Sequence, residues 1–265
     1  MDKSLIYLDF SVKDCAAEVW LNDIPLRMLD GKRQHNDSMP IPSYVVDGIN
    51  QLELIVLPGG HPSVSRTGSH KSAPDGAFAR ARLARYQDGS LLDSDQGQEL
   101  ISVHWAADGQ EHKFPFIIAD KGDCGRNAGA WSWQTADALD LMRDRQLILD
   151  TLGAIYAAFR DGDASTFVVF CETFLKEEAI AYPAYTVDEL RQRLVKDIRS
   201  NTGKKDYVKP LAPEQFDLRL CANGRLVECI DKQWQPIIAG SAPGGDEFPF
   251  PIFLGKVGGK LGIVR

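Results

Sequence analysis

The spacing of apolar residues changes along the chain, and this change limits what the chain can fold into. Within residues 5–57 apolar side chains alternate with polar ones, as in Gln51–Leu57, which is typical of β-strands with one buried face. Beyond about residue 130 the repeat lengthens to about 3.6 residues, as in Leu152, Ile155 and Phe159, which is typical of amphipathic helices. The sequence therefore predicts a β part followed by a part that contains helices.

The β part has enough short strands for a sandwich. Turn formers such as Asn22-Asp23 separate the strands of residues 5–57. After a Gly-, Ser- and Pro-rich stretch that ends at Gly76, further strands are predicted over residues 77–86, 100–105 and 113–119. About seven strands suffice for two packed sheets. Residues 1–120 are thus predicted to form an antiparallel β-sandwich, and the glycine-rich interval 121–134 a linker.

Residues 135–265 are predicted to form an α+β domain, with helices first and a curved antiparallel sheet after them. Thr135 is the predicted N-cap of a helix that ends at Asp161-Gly162, and Asp163 is the predicted N-cap of the next. A capping box at Thr186–Glu189 predicts a third helix. Two hairpins follow, with Asn223-Gly224 and Gly258-Gly259 at their turns.

Two segments of the first part resemble the galactose-binding-like jelly-roll sandwiches attached to many glycoside hydrolases. The segments are Glu18–Leu26 (EVWLNDIPL) and Tyr44–Leu54 (YVVDGINQLEL). In that family a strand ends in a WLNG turn, and a later GxN turn precedes an alternating strand. Asp23 stands where the family has glycine. The resemblance implies strand-turn-strand architecture and does not imply sugar binding.

The second part looks like the cone-shaped fold of nuclear transport factor 2 and the SnoaL-like cyclases. The resemblance rests on the helix that ends in the turn Arg160–Asp163 and on the final hairpin Pro251–Arg265. It implies a curved sheet that closes a pocket. Family members place a strand between the second and third helices, whereas residues 180–186 are short and contain a proline. This fold hosts enzymes, binding modules and assembly domains, so it does not decide the function.

Charge and cysteine content narrow the classes of function. The formal net charge is -7, and residues 1–145 hold 15 Lys and Arg against 21 Asp and Glu. This acidity argues against nucleic acid as a partner. Arg80, Arg82 and Arg85 form a local basic stripe, which we interpret as a solvated strand face. The five scattered cysteines predict buried free thiols. With no secretory signal or membrane-spanning run recognised, we expect a cytoplasmic protein that does not bind membranes.

The sequence shows no recognisable catalytic, metal or cofactor motif. It has no G-x-S-x-G, no dinucleotide or P-loop glycine pattern, and no histidine spacing typical of metal sites. We therefore predict no catalytic residues, no metal and no cofactor. An enzyme is retained only as an alternative.

Two sets of residues are candidates for a site in the second part. Four could line a pocket inside the cone: Tyr156, Tyr182, Glu228 and Trp234. Three belong to a proline-interrupted aromatic run that could form a partner surface: Phe248, Phe250 and Phe253.

These observations favour a non-enzymatic protein-binding or assembly function. One version is a bacterial immunity or adaptor protein whose acidic face neutralises a basic effector. We expect a protein partner, and a homodimer is an open alternative. A small-molecule-binding protein or enzyme that uses the cone pocket is the main rival. A carbohydrate-binding sandwich comes last, because Trp20 and Trp105 are both predicted in the core.

Overall fold

The structure is a computed structural model that describes residues 4–31, 34–57, 69–87, 97–125, 130–201, 216–232, 235–241 and 247–265. The chain divides into two compact units, Met1–Gly129 and Ala130–Arg265. Each unit is described by itself below.

The first unit is built from antiparallel strands. They are β1 (Ser4–Lys13), β2 (Ala16–Leu21), β3 (Ile24–Asp30), β4 (His35–Pro40), β5 (Ile49–Leu57), β6 (Ser69–Ser72), β7 (Phe78–Gln87), β8 (Gln98–Ala106), β9 (Glu111–Phe114) and β10 (Phe116–Asp123). One four-stranded sheet has the order β4-β1-β7-β8 and the other β10-β5-β2-β3, while β6 and β9 pair separately. Two of the strands that the sequence did not predict, β3 and β4, lie at sheet edges.

One hydrophobic core joins the two large sheets. Alternate residues of β1, such as Leu8 and Phe10, pack with alternate residues of β5, such as Leu52 and Leu54. Because successive side chains of a strand point to opposite faces, each sheet turns one face to this core and the other outward. The predicted β-sandwich is confirmed.

The second unit contains five helices and a further antiparallel sheet. The helices are α1 (Ser132–Thr135), α2 (Arg145–Arg160), α3 (Ala164–Phe170), α4 (Glu172–Ala181) and α5 (Val187–Asn201). The strands are β11 (Phe216–Cys221), β12 (Leu226–Asp231), β13 (Ile238–Ser241), β14 (Glu247–Phe250), β15 (Phe253–Val257) and β16 (Lys260–Ile263). The sheet order is β11-β12-β15-β16, with β13 and β14 paired apart, and the predicted α+β class is confirmed.

Three helix ends lie where local sequence signals predicted them. Helix α2 ends before Asp161-Gly162, and Asp163 Oδ1 accepts a hydrogen bond from the Thr166 amide at 3.1 Å. The Thr186 amide donates to Glu189 Oε2 at 2.8 Å, and the Glu189 amide donates back to Thr186 Oγ1 at 3.2 Å. This reciprocal pair is the predicted capping box.

The predicted start of the first long helix is wrong. Thr135 is the last residue of α1, and α2 begins ten residues later at Arg145. The aspartates between them form a turn instead, in which the Asp140 amide donates to Asp144 Oδ2 at 2.8 Å. Asp140 Oδ1 in turn accepts the Met142 amide at 2.8 Å. Aspartate competes for backbone amides in this way, which favours turns over helix interiors.

The cysteine prediction is confirmed, since all five cysteines are buried and free. Burial raises the pKa of the Cys15 and Cys124 thiols to about 11 and that of Cys171 to about 12. Thiols this far from deprotonation at neutral pH are poor nucleophiles. They act as small apolar side chains of the two cores.

Candidate functional site

Tyr156 and Glu228, two of the predicted pocket residues, lie on opposite sides of the sheet of the second unit. Tyr156 packs from α2 against a core that includes Val227 and Cys229 of β12. Because those two residues face the helices, Glu228 between them faces away. Its carboxylate pairs with Arg219 across the β11–β12 register, with Arg219 Nε 2.6 Å from Glu228 Oε2. The sheet thus separates Glu228 from Tyr156.

The other two pocket candidates, Tyr182 and Trp234, are not shown next to Tyr156 or Glu228 in the described residues. Tyr182 follows α4, half-buried, and its amide donates to the Glu178 carbonyl at 2.8 Å. Trp234 lies outside the described residues.

The aromatic run of β14 and β15 is largely turned inward. The Phe250 ring lies 5.3 Å from the Phe167 ring and 6.3 Å from the Phe159 ring, between centroids. Phe253 is 4% exposed, so its ring is not part of the exposed surface. The backbone of Phe248 pairs with Gly240 between β14 and β13, while its side chain lies outside the described part of the chain.

The helix-facing side of this sheet is packed with apolar side chains. Phe159 and Phe167 are fully buried beside Leu152, Leu218 and Leu254. The rings of Phe159, Phe167 and Phe250 contact one another at the centre of this group. Among the described residues, apolar side chains therefore fill the region around these rings between the helices and the sheet.

A different surface stands out in the first unit, on the side of the sheet β10-β5-β2-β3 that points away from the core. Leu52, Leu54 and Val56 of β5 point inward. The alternate residues point outward beside their neighbours on β10 and β2. We call this surface the outer face and define it by Trp20, Ile49, Glu53, Ile55 and Ile117.

Two large apolar side chains are exposed at the ends of the outer face. Ile49 is 62% exposed and Ile117 is 60% exposed. The register pairs Ile117 with Ile55 and places Ile49 six residues along β5, or about 20 Å away. Ile117 and Ile55 thus form a small apolar patch at one end of the outer face, and Ile49 is a single exposed side chain at the other end. Contiguous apolar patches, rather than single side chains, are the feature typical of binding surfaces.

A carboxylate in an unfavourable environment lies between them. Burial raises the pKa of Glu53, and the negative charges of Asp23 and Glu18 raise it further. Within the described ranges no Lys, Arg or His forms an ion pair with Glu53. Lys121 of β10 lies on the same face, opposite Gln51, so the outer face carries charges of both signs.

Trp20 belongs to this outer face, so its predicted core position is wrong. Val19 and Leu21 occupy the inward positions of β2, and Trp20 lies opposite Glu53 in the β2–β5 register, half-buried. Trp105, in contrast, is in the core as predicted, at 4% exposure. Both sides of β2 are largely buried, so the period of two could not tell its faces apart.

The arginine stripe of β7 also differs from its interpretation as a solvated face. Arg82 is only 5% exposed, and its Nη2 lies 2.9 Å from Asp9 Oδ2 and 2.9 Å from the Tyr86 hydroxyl. Arg85 Nη2 donates to the Cys124 carbonyl at 2.6 Å. Only Arg80 is largely exposed. Its Nη2 lies 3.8 Å from Glu99 Oε2, so all three cations have partners within the unit.

In the described residues no three His, Cys, Asp or Glu side chains are grouped so as to hold a metal ion. Of the helices described, none has both the length and the apolar character needed to cross a bilayer.

No protein-family model matches the chain, and no curated protein or solved structure matches it either.

Proposed function

We propose that the chain is a non-enzymatic protein-binding or assembly protein that docks a partner on its outer face. The observation that carries the proposal is the pair of exposed isoleucines, Ile49 and Ile117, on either side of Glu53. Protein interfaces combine an apolar centre with charged groups that select the partner. An immunity or adaptor protein that neutralises a basic partner is the version that the net charge of -7 supports.

The packing of the second unit supports the same proposal. Aromatic rings of Phe159, Phe167 and Phe250 fill the region between helices and sheet, and Glu228 is held by Arg219 on the other side. This arrangement favours a function carried by surfaces over chemistry in a cone pocket.

We also propose that the two units are variants of the folds they resemble. For the first unit, the side chains of Asn22 and Asn50 join the two motif turns by a hydrogen bond. For the second unit, the Asp161-Gly162 turn between α2 and α3 and the final hairpin support a variant of the nuclear transport factor 2 cone. Residues 182–186 between α4 and α5 form a turn where that family has a strand.

The experiment is a quantitative affinity purification from the native host with three forms of the chain. The double variant Ile49→Asp/Ile117→Asp places charges in the outer face, where exposure makes both substitutions compatible with folding. Val169→Asp is the matched control, because Val169 is a β-branched apolar side chain of similar exposure, 68%, on α3.

We expect the wild type and Val169→Asp to capture the same amount of one partner. The double variant should capture at least about tenfold less of that partner. The interaction is then reconstituted with the purified partner. Equal retention by all three forms, with circular dichroism showing that each is folded, would refute a docking role for the outer face.

A further inference from the structure

The outer face is open to a partner along two neighbouring strands, β5 and β10. Ile49 is 62% exposed and Ile117 is 60% exposed, and Ala119 and Lys121 of β10 are exposed as well. On β2, in contrast, Glu18 is only 2% exposed. The accessible part of the outer face is therefore a strip two strands wide. We call it the open strip and define it by Ile49, Glu53, Ile55, Ile117, Ala119 and Lys121.

The open strip has two matching halves on either side of the row that contains Leu52 and its β10 partner. On β5, Ile49 and Ile55 lie three residues to either side of Leu52. On β10, Ala119 and Lys121 lie one residue to either side of the same row. A rotation that reverses the strand direction about this row therefore exchanges the two positions of each pair.

We propose that the open strip docks on the open strip of a second copy of this chain, about a two-fold axis that crosses the strands at this row. This inference rests on the proposed function and takes its assembly form, in which the docked partner is the same protein. A two-fold interface uses one patch on both copies, so that patch has to be complementary to itself. Both the apolar and the charged side chains of the open strip meet this condition.

The apolar side chains come together in this arrangement. The axis lays β5 over β5 and β10 over β10 of the second copy, in opposite directions, with the sheets about 10 Å apart. Ile55 then lies over Ile49 of the second copy. Ile117 lies beside this pair, over Asp123 of the second copy, whose Oδ1 already accepts the Gly125 amide at 2.7 Å. Each end of the interface thus gathers isoleucines from both copies and removes their apolar surface from water.

The charges are complementary under the same rotation. Lys121 lies over Ala119 of the second copy, and the register partner of Ala119 is Glu53. Because an alanine side chain is small, the lysine ammonium has room to reach the carboxylate beside it. In the described part of a single chain, neither Lys121 nor Glu53 forms an ion pair. The dimer would supply both groups with a partner, twice over, and such matching of charges favours this orientation over others.

The size of the open strip sets how tightly two copies should bind. The strip runs six residues along β5, or about 20 Å, and is two strands wide, or about 10 Å. Stable protein interfaces bury about 800 Å² on each partner, which is more than the strip provides. We therefore expect a dimer that dissociates on dilution, with a Kd of about 10 to 100 µM.

Sedimentation velocity of the full chain from about 5 µM to about 500 µM measures this equilibrium. We expect the wild type to change from monomer to dimer across this range. Lys121→Glu and Glu53→Lys should each raise the Kd at least about tenfold. The double variant Glu53→Lys/Lys121→Glu should regain most of the affinity, because the pairs form again with their charges exchanged. Lys113→Glu, at an exposed position of β9, makes the same change in net charge as Lys121→Glu and should dimerise like the wild type.

A wild type that is monomeric at every concentration would overturn the inference. So would a double variant that dimerises no better than the single variants, or an equal loss in Lys113→Glu and Lys121→Glu. Failure of the inference is distinguishable from failure of the proposed function. If the wild type stays monomeric but Ile49→Asp/Ile117→Asp loses a different protein in the affinity purification, the docking face stands and the second copy is the wrong partner.

Discussion

The side-chain amide of Asn22 donates a hydrogen bond to Oδ1 of Asn50 over 2.8 Å, and this contact joins two turns of the first unit. Asn50 is fully buried, and its amide group also bonds the Val46 amide and the carbonyls of Val46 and Gly48. Asn22 adopts a positive φ of 53° in the turn between β2 and β3. One buried side chain thus bonds three backbone groups, of which the Gly48 carbonyl also accepts the Cys124 amide.

Asn50→Leu should therefore destabilise the first unit strongly. The change removes the hydrogen bonds that Asn50 makes to three part-buried backbone groups and to the Asn22 amide, and we expect a loss of about 2 to 4 kcal/mol. Urea unfolding followed by circular dichroism measures it. Asn36→Ala, at an exposed position of β4, is the control and should change stability by less than about 0.5 kcal/mol. Equal effects of the two changes would show that the Asn50 network is not important.

The second prediction concerns the buried ion pair between Glu177 and Arg265. Arg265 Nη1 lies 2.5 Å from Glu177 Oε2, and Glu177 Oε1 accepts the Ser132 amide at the start of α1. Glu177→Gln keeps the acceptor but leaves a buried guanidinium without its counter-charge, which should cost about 3 kcal/mol. Arg265→Met should cost a similar amount, and the double variant much less than the sum.

The matched control for that cycle is Lys176→Gln. It removes an exposed pair with Glu172, 3.8 Å long, from the same helix, and should cost less than about 0.5 kcal/mol. Additive losses in Glu177→Gln/Arg265→Met would mean that the two side chains do not stabilise each other.

Because of Asp144, the stability of the second unit should decrease at low pH. Hydrogen bonds from Arg143 and from the Asp140 amide lower the pKa of this carboxyl from 3.8 to about 2. A lowered folded-state pKa stabilises the fold above the ordinary value, and this stabilisation is lost as pH falls towards 2. Asp144→Asn should be less stable than the wild type at pH 6, and the difference should shrink between pH 4 and pH 2. A constant difference across that range would contradict the assignment.

Glu53 should act in the opposite direction. Its raised pKa means that the folded state binds the proton more tightly, so its ionised form costs stability above the raised value. Glu53→Gln should therefore stabilise the first unit at pH 7, by at most about 0.5 kcal/mol after solvent screening. The gain should vanish below pH 4.5. A destabilised Glu53→Gln at pH 7 would mean that the ionised carboxylate has a favourable partner within the chain.

The elements that the sequence predicted are those with a local cause. The turn at Asn223-Gly224 needs positive φ, and Ala222, Asn223 and Gly224 adopt 52°, 55° and 75°. The Thr186–Glu189 box works within one helical turn. Such features depend on neighbours in the sequence, so they can be recognised without the fold.

Strand β4 and the outer face could not be predicted in this way. Strand β4 is a polar edge strand, held by pairing with β1 and by the Arg27–Asp37 ion pair at 2.7 Å, and its residues show no apolar alternation. Ile117 lies between Phe116 and Ile118 in an apolar run. Because this run does not alternate with polar residues, its sequence does not indicate which side faces water. Only the pairing of β10 with β5 decides which isoleucines are exposed.

The most direct test of the central claim is site-specific photo-crosslinking in cells of the native host. A photoreactive phenylalanine analogue at position 117, on the outer face, is compared with the same analogue at position 169 on α3. We predict a discrete crosslinked protein at position 117 that mass spectrometry identifies and that is absent at position 169. No crosslinked protein at position 117, or the same proteins at both positions, would contradict the account.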